Sequence, residues 1–107
     1  MELSQYQIIL VNLDPTVGSE IQKTRPCVII SPDEMNRYLQ TVVIAPMTSK
    51  SKNYPTRIKV KHDNKIGWIV LDQIRTIDKQ RVIKVLDQLS DIEVIRVKSV
   101  IKEIFVD

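Results

Sequence analysis

The chain has 107 residues, 43% of them hydrophobic and 27% charged, with a net charge of +3, the mixture of one soluble globular domain spanning residues 1–107 rather than a disordered or membrane protein. A second domain is excluded at this length, and a core of this size buries roughly two-thirds of the unfolded surface, so dimerisation would help. A single cysteine and a single histidine exclude an internal disulfide and the usual zinc sites, and two glycines exclude a Walker or G-x-G-x-x-G loop.

Ile and Val number 29 against seven Leu and one Ala, which favours a pleated sheet over a helical bundle. The start, MELSQYQIILVNLD, has neither the basic region nor the apolar run of an export signal, and no apolar run approaches the ~18 residues of a membrane span. A reducing cytoplasm is the expected compartment. Charge is unevenly distributed: residues 1–47 carry −2, residues 48–86 carry +7 and residues 87–107 carry −2. The basic middle segment fits either a surface for RNA or an acidic protein partner, or a solvated strand face, because Thr56–Lys61 alternates charged and apolar residues.

Gln7–Leu13 reads as a first strand closed by Asp14-Pro15, and a loop from Thr16 to Thr24 follows. Cys27–Ile30 reads as a buried strand stopped by Ser31-Pro32-Asp33, and Gln40–Met47 as a third strand, followed by a polar stretch over residues 48–53. Arg57–Lys61 and Gly67–Ile74 are two further strands, joined as a hairpin across His62–Lys65. Ile77–Arg81 is a turn capped by Asp78, and Val82–Leu86 a last strand. Ser90-Asp91-Ile92-Glu93 has the S-x-x-E pattern of a capping box and opens a helix over 91–105, with Val94, Val97, Ile101 and Ile104 on its buried face. The expected fold class is mainly β: a small curled sheet or barrel with a C-terminal helix against it.

Few constellations for catalysis remain. Cys27 lies in an apolar run that favours burial over reactivity, and His62, in a polar turn, reads as a surface residue rather than a base. Phosphate chemistry without a metal is left, in which Arg, Lys and hydroxyl groups stabilise charge on phosphorus.

Four blocks carry a resemblance: Asn12–Glu20 (NLDPTVGSE) followed by Lys23-Thr24-Arg25-Pro26; Ala45–Lys50 (APMTSK) with Tyr54-Pro55; Leu71–Thr76 (LDQIRT); and Asp78-Lys79. In order and spacing, over about residues 7–105, they resemble the MazF/PemK toxin family. The resemblance implies an SH3-like (PemK-like) barrel with a C-terminal helix, a homodimer and a type II toxin–antitoxin endoribonuclease that cuts single-stranded RNA at short motifs. It implies as partner a MazE-like antitoxin with an acidic C-terminal segment. No cofactor and no metal are expected, and no membrane partner.

Carried over by position, the family's R-P arginine is Arg25 and its T-S hydroxyl is Thr48. Attack of a ribose 2′-OH on the adjacent phosphate would give 2′,3′-cyclic phosphate and 5′-OH ends, with guanidinium and hydroxyl stabilising the pentavalent centre. Arginine, with a pKa above about 12, is a poor base, and Glu20 is the candidate base or orienter of Arg25. Candidate RNA contacts are Thr16, Ser19 and Lys23 in the loop, Ser49, Lys50 and Lys52, and Gln73 with Arg75, which equally fit a role in holding the sheet or a dimer interface. Trp68 reads as a core or interface aromatic rather than a stacking platform. The pattern departs from many relatives in Tyr6-Gln7, where they have Gly-Asp, and in Gln22-Lys23-Thr24-Arg25, where they approach the arginine through glycine. Two rival readings stay open: a CcdB-like gyrase poison, which the ending Ile104-Phe105-Val106-Asp107 argues against, and an RNA-binding module without catalysis.

Overall fold

A curled antiparallel sheet of seven strands carries most of the core in the computed structural model, which describes residues 2–106. The strands are β1 (Gln7–Asn12), β2 (Thr24–Ile29), β3 (Thr41–Thr48), β4 (Arg57–His62), β5 (Lys65–Val70), β6 (Arg75–Asp78) and β7 (Val82–Gln88); α1 (Asp33–Tyr38) lies between β2 and β3, and α2 (Asp91–Ile101) follows β7. The sheet order is β4-β5-β3-β2-β1-β7, with β6 on β3. β3 is the shared member: residues 41–44 pair with β6 and Met47 and Thr48 with β5, while β2 runs along its other edge.

Alternation along the strands explains why both faces are packed. Ile8, Val28, Ala45 and Met47 face a cluster with Ile58, Val60, Ile69, Leu71 and Val97, whereas Ile9, Val11, Cys27, Ile29, Val42 and Ile44 face a second with Leu3, Leu13 and Ile77. Successive side chains of one strand point to opposite faces, so β1, β2 and β3 feed both clusters. α2 closes the first with Val97, and Val94, Ile101 and Ile104 pack beside it on the expected face. Its start carries both bonds of the capping box: Ser90 Oγ accepts from Glu93 N at 3.2 Å, and Glu93 Oε1 accepts from Ser90 N at 2.8 Å.

Several boundaries differ from the sequence reading. β2 begins at Thr24 rather than Cys27, so Arg25 and Pro26 stand in a strand; Pro26 lies where β2 pairs with β1 alone, and one open edge tolerates a missing donor. The expected strand 67–74 ends at Val70 of β5: Leu71–Gln73 form a 3-10 turn, and the next strand, β6, starts at Arg75 and takes in Ile77 and Asp78, where the sequence reading has a turn. Leu71 is fully buried and its N–H donates to Thr56 O at 3.1 Å, which turns the chain at that corner. α1 was read only as a strand stop. Asp33 and Glu34 suit its first turn, and buried Asn36 is satisfied by Ser31 through Oγ and the carbonyl. α2 ends at Ile101, with Lys102–Val106 in a wider turn of π type. The hairpin across His62–Lys65 is present: Asp63 and Asn64 adopt φ of 50° and 60°, the left-handed pair of a two-residue turn. Among the described residues, no helix is long and apolar enough to cross a membrane.

Two outcomes follow from the core. Leu71→Ala is expected to cost about 2–5 kcal/mol in urea unfolding, because the corner cannot collapse around the void. Burial pushes the Cys27 thiol up to about 12, with the nearby Arg75 charge acting the other way. Its folded value lies above the unfolded one, so the contribution to stability is present below pH ~8.5 and is lost as pH rises toward the folded value. Iodoacetamide should label Cys27 at pH 8 only when the protein unfolds, and Cys27→Ala should flatten the alkaline limb of the stability profile.

Candidate active site

The β2–β3 register pairs Cys27 with Pro46, Val28 with Ala45 and Ile29 with Ile44. The paired stretch ends at Cys27 and Pro46, and Arg25 and Thr48 each stand two residues beyond that end on their strands. Both residues line one groove of about 350 Å³. Pro26 and Ser49 continue that wall, His62, Lys65 and Ile66 of the β4–β5 hairpin form the facing one, and Leu86 and Asp87 of β7 close an end. The floor is apolar, from Ile8, Met47 and Val60. Strand ends from four parts of the sequence thus meet around an apolar floor with a polar rim, as in a binding cleft.

Arg25 is half-buried. Its Nε donates to Gln22 O at 3.2 Å, and its Nη groups make no hydrogen bond among the described residues. A guanidinium held by one edge with its other edge free is suited to gripping two phosphate oxygens. Thr48 Oγ1 lies within 3.2 Å of Lys50 O and 3.3 Å of Lys50 N, a local turn that fixes the hydroxyl at the strand end. Ser49, Lys50 and Lys52 are exposed beyond it.

The loop from residue 13 to residue 23 is tied down by its own polar groups. Leu13 N donates to Lys23 O at 2.9 Å, and Asp14 Oδ1 accepts from Lys23 N at 3.1 Å. Lys23 has φ of 71°, a left-handed conformation that glycine adopts without strain and that these two bonds enforce here. Gln73 accepts from Ile21 N at 2.8 Å and donates to Ser19 O at 3.3 Å, while Arg75 donates to Leu13 O at 3.1 Å. These two side chains therefore anchor the loop to the sheet. Thr16 Oγ1 donates to Asp14 Oδ1 at 3.3 Å. Glu20 is exposed, its Oε1 accepts the Val17 N–H, and it does not line the groove that holds Arg25 and Thr48.

The basic middle segment divides in two. Arg57, Arg75, Lys79 and Arg81 bond inward: Arg57 grips Asp72 through Nε at 3.1 Å and Nη2 at 3.2 Å, Lys79 Nζ donates to Asn36 O, and Arg81 donates to Asp14 O. Lys50, Lys52, Lys59, Lys61, Lys65 and Lys84 stay exposed. Arg57 also reaches Ser51 Oγ at 3.0 Å and lies over the Tyr54 ring, so it pins the far end of the Lys50–Lys52 segment. The hydrogen bond from Arg57, joined by one from Thr56, holds the Asp72 carboxyl below its ordinary value. Trp68 is half-buried, with Lys59 Nζ 5.9 Å from its ring centre.

His62 was missed as part of the site. It stands at the end of β4, half-buried, with Nδ1 2.8 Å from Asp87 Oδ2 and Nε2 3.4 Å from Glu93 Oε1. Those partners lie 25 and 31 residues further along the chain, beyond the reach of any local motif. Among the described residues, no group of three or more His, Cys, Asp and Glu side chains is arranged to hold a metal ion.

With this geometry in place, comparison with known proteins is informative. The model of PemK-like, MazF-like toxins of type II toxin–antitoxin systems matches residues 4–105. A protein of Staphylococcus saprophyticus, "Endoribonuclease MazF", is 38% identical over 90 residues, 78% of this chain and 75% of that protein. The fold is similar to that of crystalline MazF from Deinococcus radiodurans, with a TM-score of 0.89 at 20% identity over 100% of this chain and 99% of that one. A mycobacterial endoribonuclease solved with its cognate antitoxin gives a TM-score of 0.80 at 18% identity, over 94% of this chain and 92% of that one.

Two measurements test the supports. Gln73→Ala should speed amide exchange at Ile21 by at least tenfold while leaving exchange in β2 and β3 unchanged. The folded Asp72 carboxyl lies below its unfolded value, so the Arg57 pair contributes stability above the ordinary carboxylate range near 3.9 and loses it as pH falls through the lowered value. Being partly exposed, the pair is worth under about 1 kcal/mol, and Asp72→Asn should remove only that part of the acid limb of a stability profile.

Proposed function

The chain belongs to the PemK-like, MazF-like toxin family of type II toxin–antitoxin systems, and from that premise we propose that it is an endoribonuclease acting on single-stranded RNA in the cytoplasm, with Arg25 and Thr48 as its catalytic pair. The observation that carries this reading is that both side chains line one groove, each two residues beyond the paired stretch of β2 and β3. The ribose 2′-oxygen attacks the adjacent phosphorus, the bond from phosphorus to the 5′-oxygen breaks, and the products are a 2′,3′-cyclic phosphate and a 5′-OH. Arg25 faces the phosphate with its free Nη groups, and Thr48 supplies a hydroxyl to the oxygen on which charge grows. Both act more strongly on the transition state than on the bound phosphodiester. No step requires a metal.

Ser49, Lys50 and Lys52 meet the RNA beyond Thr48, and Thr16, Ser19 and Lys23 meet it from the loop. Gln73 and Arg75 contribute by holding that loop in place. Glu20 fixes the loop through Val17; the 2′-OH proton falls to it only if Glu20→Gln removes the pH dependence of single-turnover cleavage. The same basic rim suits an acidic segment of a MazE-like antitoxin, whose opposite charge speeds encounter. The active form is a homodimer.

Incubating the protein with a long single-stranded RNA in EDTA and mapping the ends tests the reading. Cuts at one short motif with cyclic-phosphate ends are expected, reduced about 10²–10³-fold in Arg25→Ala and in Thr48→Ala. Well-folded wild-type protein that binds RNA without cutting it would overturn the reading. RNA affinity should fall steeply with salt, the slope counting phosphates contacted, at about 0.7 per phosphate on a single strand; an affinity independent of salt would remove the lysine rim from recognition.

A further inference from the structure

The ends of the sheet order are β4 and β7, and two edge strands of a curled sheet leave a seam between them. No strand pairing joins β4 to β7 among the described residues. Arg96 of α2 ties to β4 by donating to Lys59 O at 3.0 Å, and one side chain reaches from β4 to β7 itself. His62, the last residue of β4, extends Nδ1 to Asp87 of β7 at 2.8 Å and Nε2 to within 3.4 Å of Glu93 at the start of α2. Asp87 belongs to a stretch of β7 in which every residue from Ile83 to Gln88 is exposed, so this end of the strand is held on one side by its ladder to β1, where Ile8 pairs with Asp87 and Gln7 with Gln88, and on the seam side by side chains alone. Beside Asp87, Leu86 forms part of the groove that holds Arg25 and Thr48, and His62 lines the same groove.

The second nitrogen is informative. Nε2 is buried and makes no hydrogen bond with acceptable geometry, although Glu93 Oε1 is 3.4 Å away. That oxygen already accepts the Ser90 N–H of the capping box. The contact is therefore a close approach of the imidazole edge to a carboxylate fixed by the helix start. A buried Nε2 is also closed to an incoming 2′-OH, which excludes His62 as the direct proton acceptor in this arrangement.

We propose that His62 is a positioning residue for RNA cleavage: it latches β4 to β7 and to α2 across the open seam and holds Leu86 and Asp87 against the groove. This inference rests on the endoribonuclease reading for its effect on cleavage. The latch itself is independent of that reading. Unmaking it separates the groove's closing end from the wall that carries Arg25 and Thr48, while leaving the β2–β3 register untouched. Substrate binding suffers, and chemistry on bound substrate continues.

The test uses His62→Ala and Asp87→Asn in the full chain, with thermal unfolding to establish that each is folded, amide exchange to read the seam and single-turnover cleavage across RNA concentrations to separate binding from chemistry. His62→Ala should speed exchange at residues 86–88 at least tenfold with β2 and β3 unchanged. It should weaken half-saturation by RNA more than tenfold and alter the saturated rate less than threefold. Asp87→Asn should give the same pattern at smaller size, and it decides the matter if His62→Ala does not fold. Unchanged exchange at the seam in the folded variants would overturn the latch, and a loss confined to the saturated rate would overturn the positioning role in favour of proton transfer. Wild-type protein that cuts no RNA would defeat the endoribonuclease reading alone, since the exchange measurement still decides the latch.

Discussion

The register of β2 against β3 is the constraint on which the site depends. Pairing Cys27 with Pro46 leaves Arg25 and Thr48 each two residues past the same end of the paired stretch, and a slip of one residue would turn every side chain of β2 to the other face. The core prevents that slip. Cys27 and Ile29 pack into one cluster, Val28 into the other, and Val42, Ile44, Ala45 and Met47 divide between the same two. The apolar alternation that folds the sheet is thus also what brings a cation and a hydroxyl together, with no loop needed to position either Cα. Only their side chains are loop-bound, Arg25 Nε donating to Gln22 O and Thr48 Oγ1 to Lys50 O.

Much of this was legible from the amino-acid order. The high Ile and Val content and the period-two stretches marked the strands, and Ser90 with Glu93 marked a helix start whose two reciprocal bonds are present. What escaped were features set by tertiary contact. The corner at Leu71–Gln73 lies inside an apolar run that reads as continuous strand, and only the burial of Leu71 bends it. α1 is six residues long, too short for helical periodicity, though Pro32 followed by Asp33 and Glu34 carries a helix-start signal. In the site, Arg25 and Thr48 were legible because they sit in sequence blocks. His62 was not, because its two carboxylate partners come from β7 and α2.

Charge shows the same division between what order reveals and what packing decides. The +7 of residues 48–86 reads as a single basic stretch, but four of its cations bond inward and serve the framework. Arg57 braces the segment after Thr48, while Arg75 and Arg81 hold the turn after β1 against β6 and its following turn. Of the exposed lysines left over, Lys65 lines the groove, Lys59 and Lys61 lie on β4, Lys50 and Lys52 follow Thr48, and Lys84 lies on β7. Three of the four inward supports are arginines, whose planar fork suits fixed bonds, while the exposed cations are lysines, each a hydrated point charge.

The most direct test of where the chemistry happens is an amide and methyl chemical-shift map of the protein with a single-stranded RNA whose 2′-hydroxyls are replaced by hydrogen, so that it binds without being cut. Shifts confined to Arg25, Thr48, Ser49, the β4–β5 hairpin and Leu86 are expected. Shifts clustered instead on the exposed face of α2, around Ile92 and Ile95, with the groove silent, would contradict the assignment of the groove as the catalytic site.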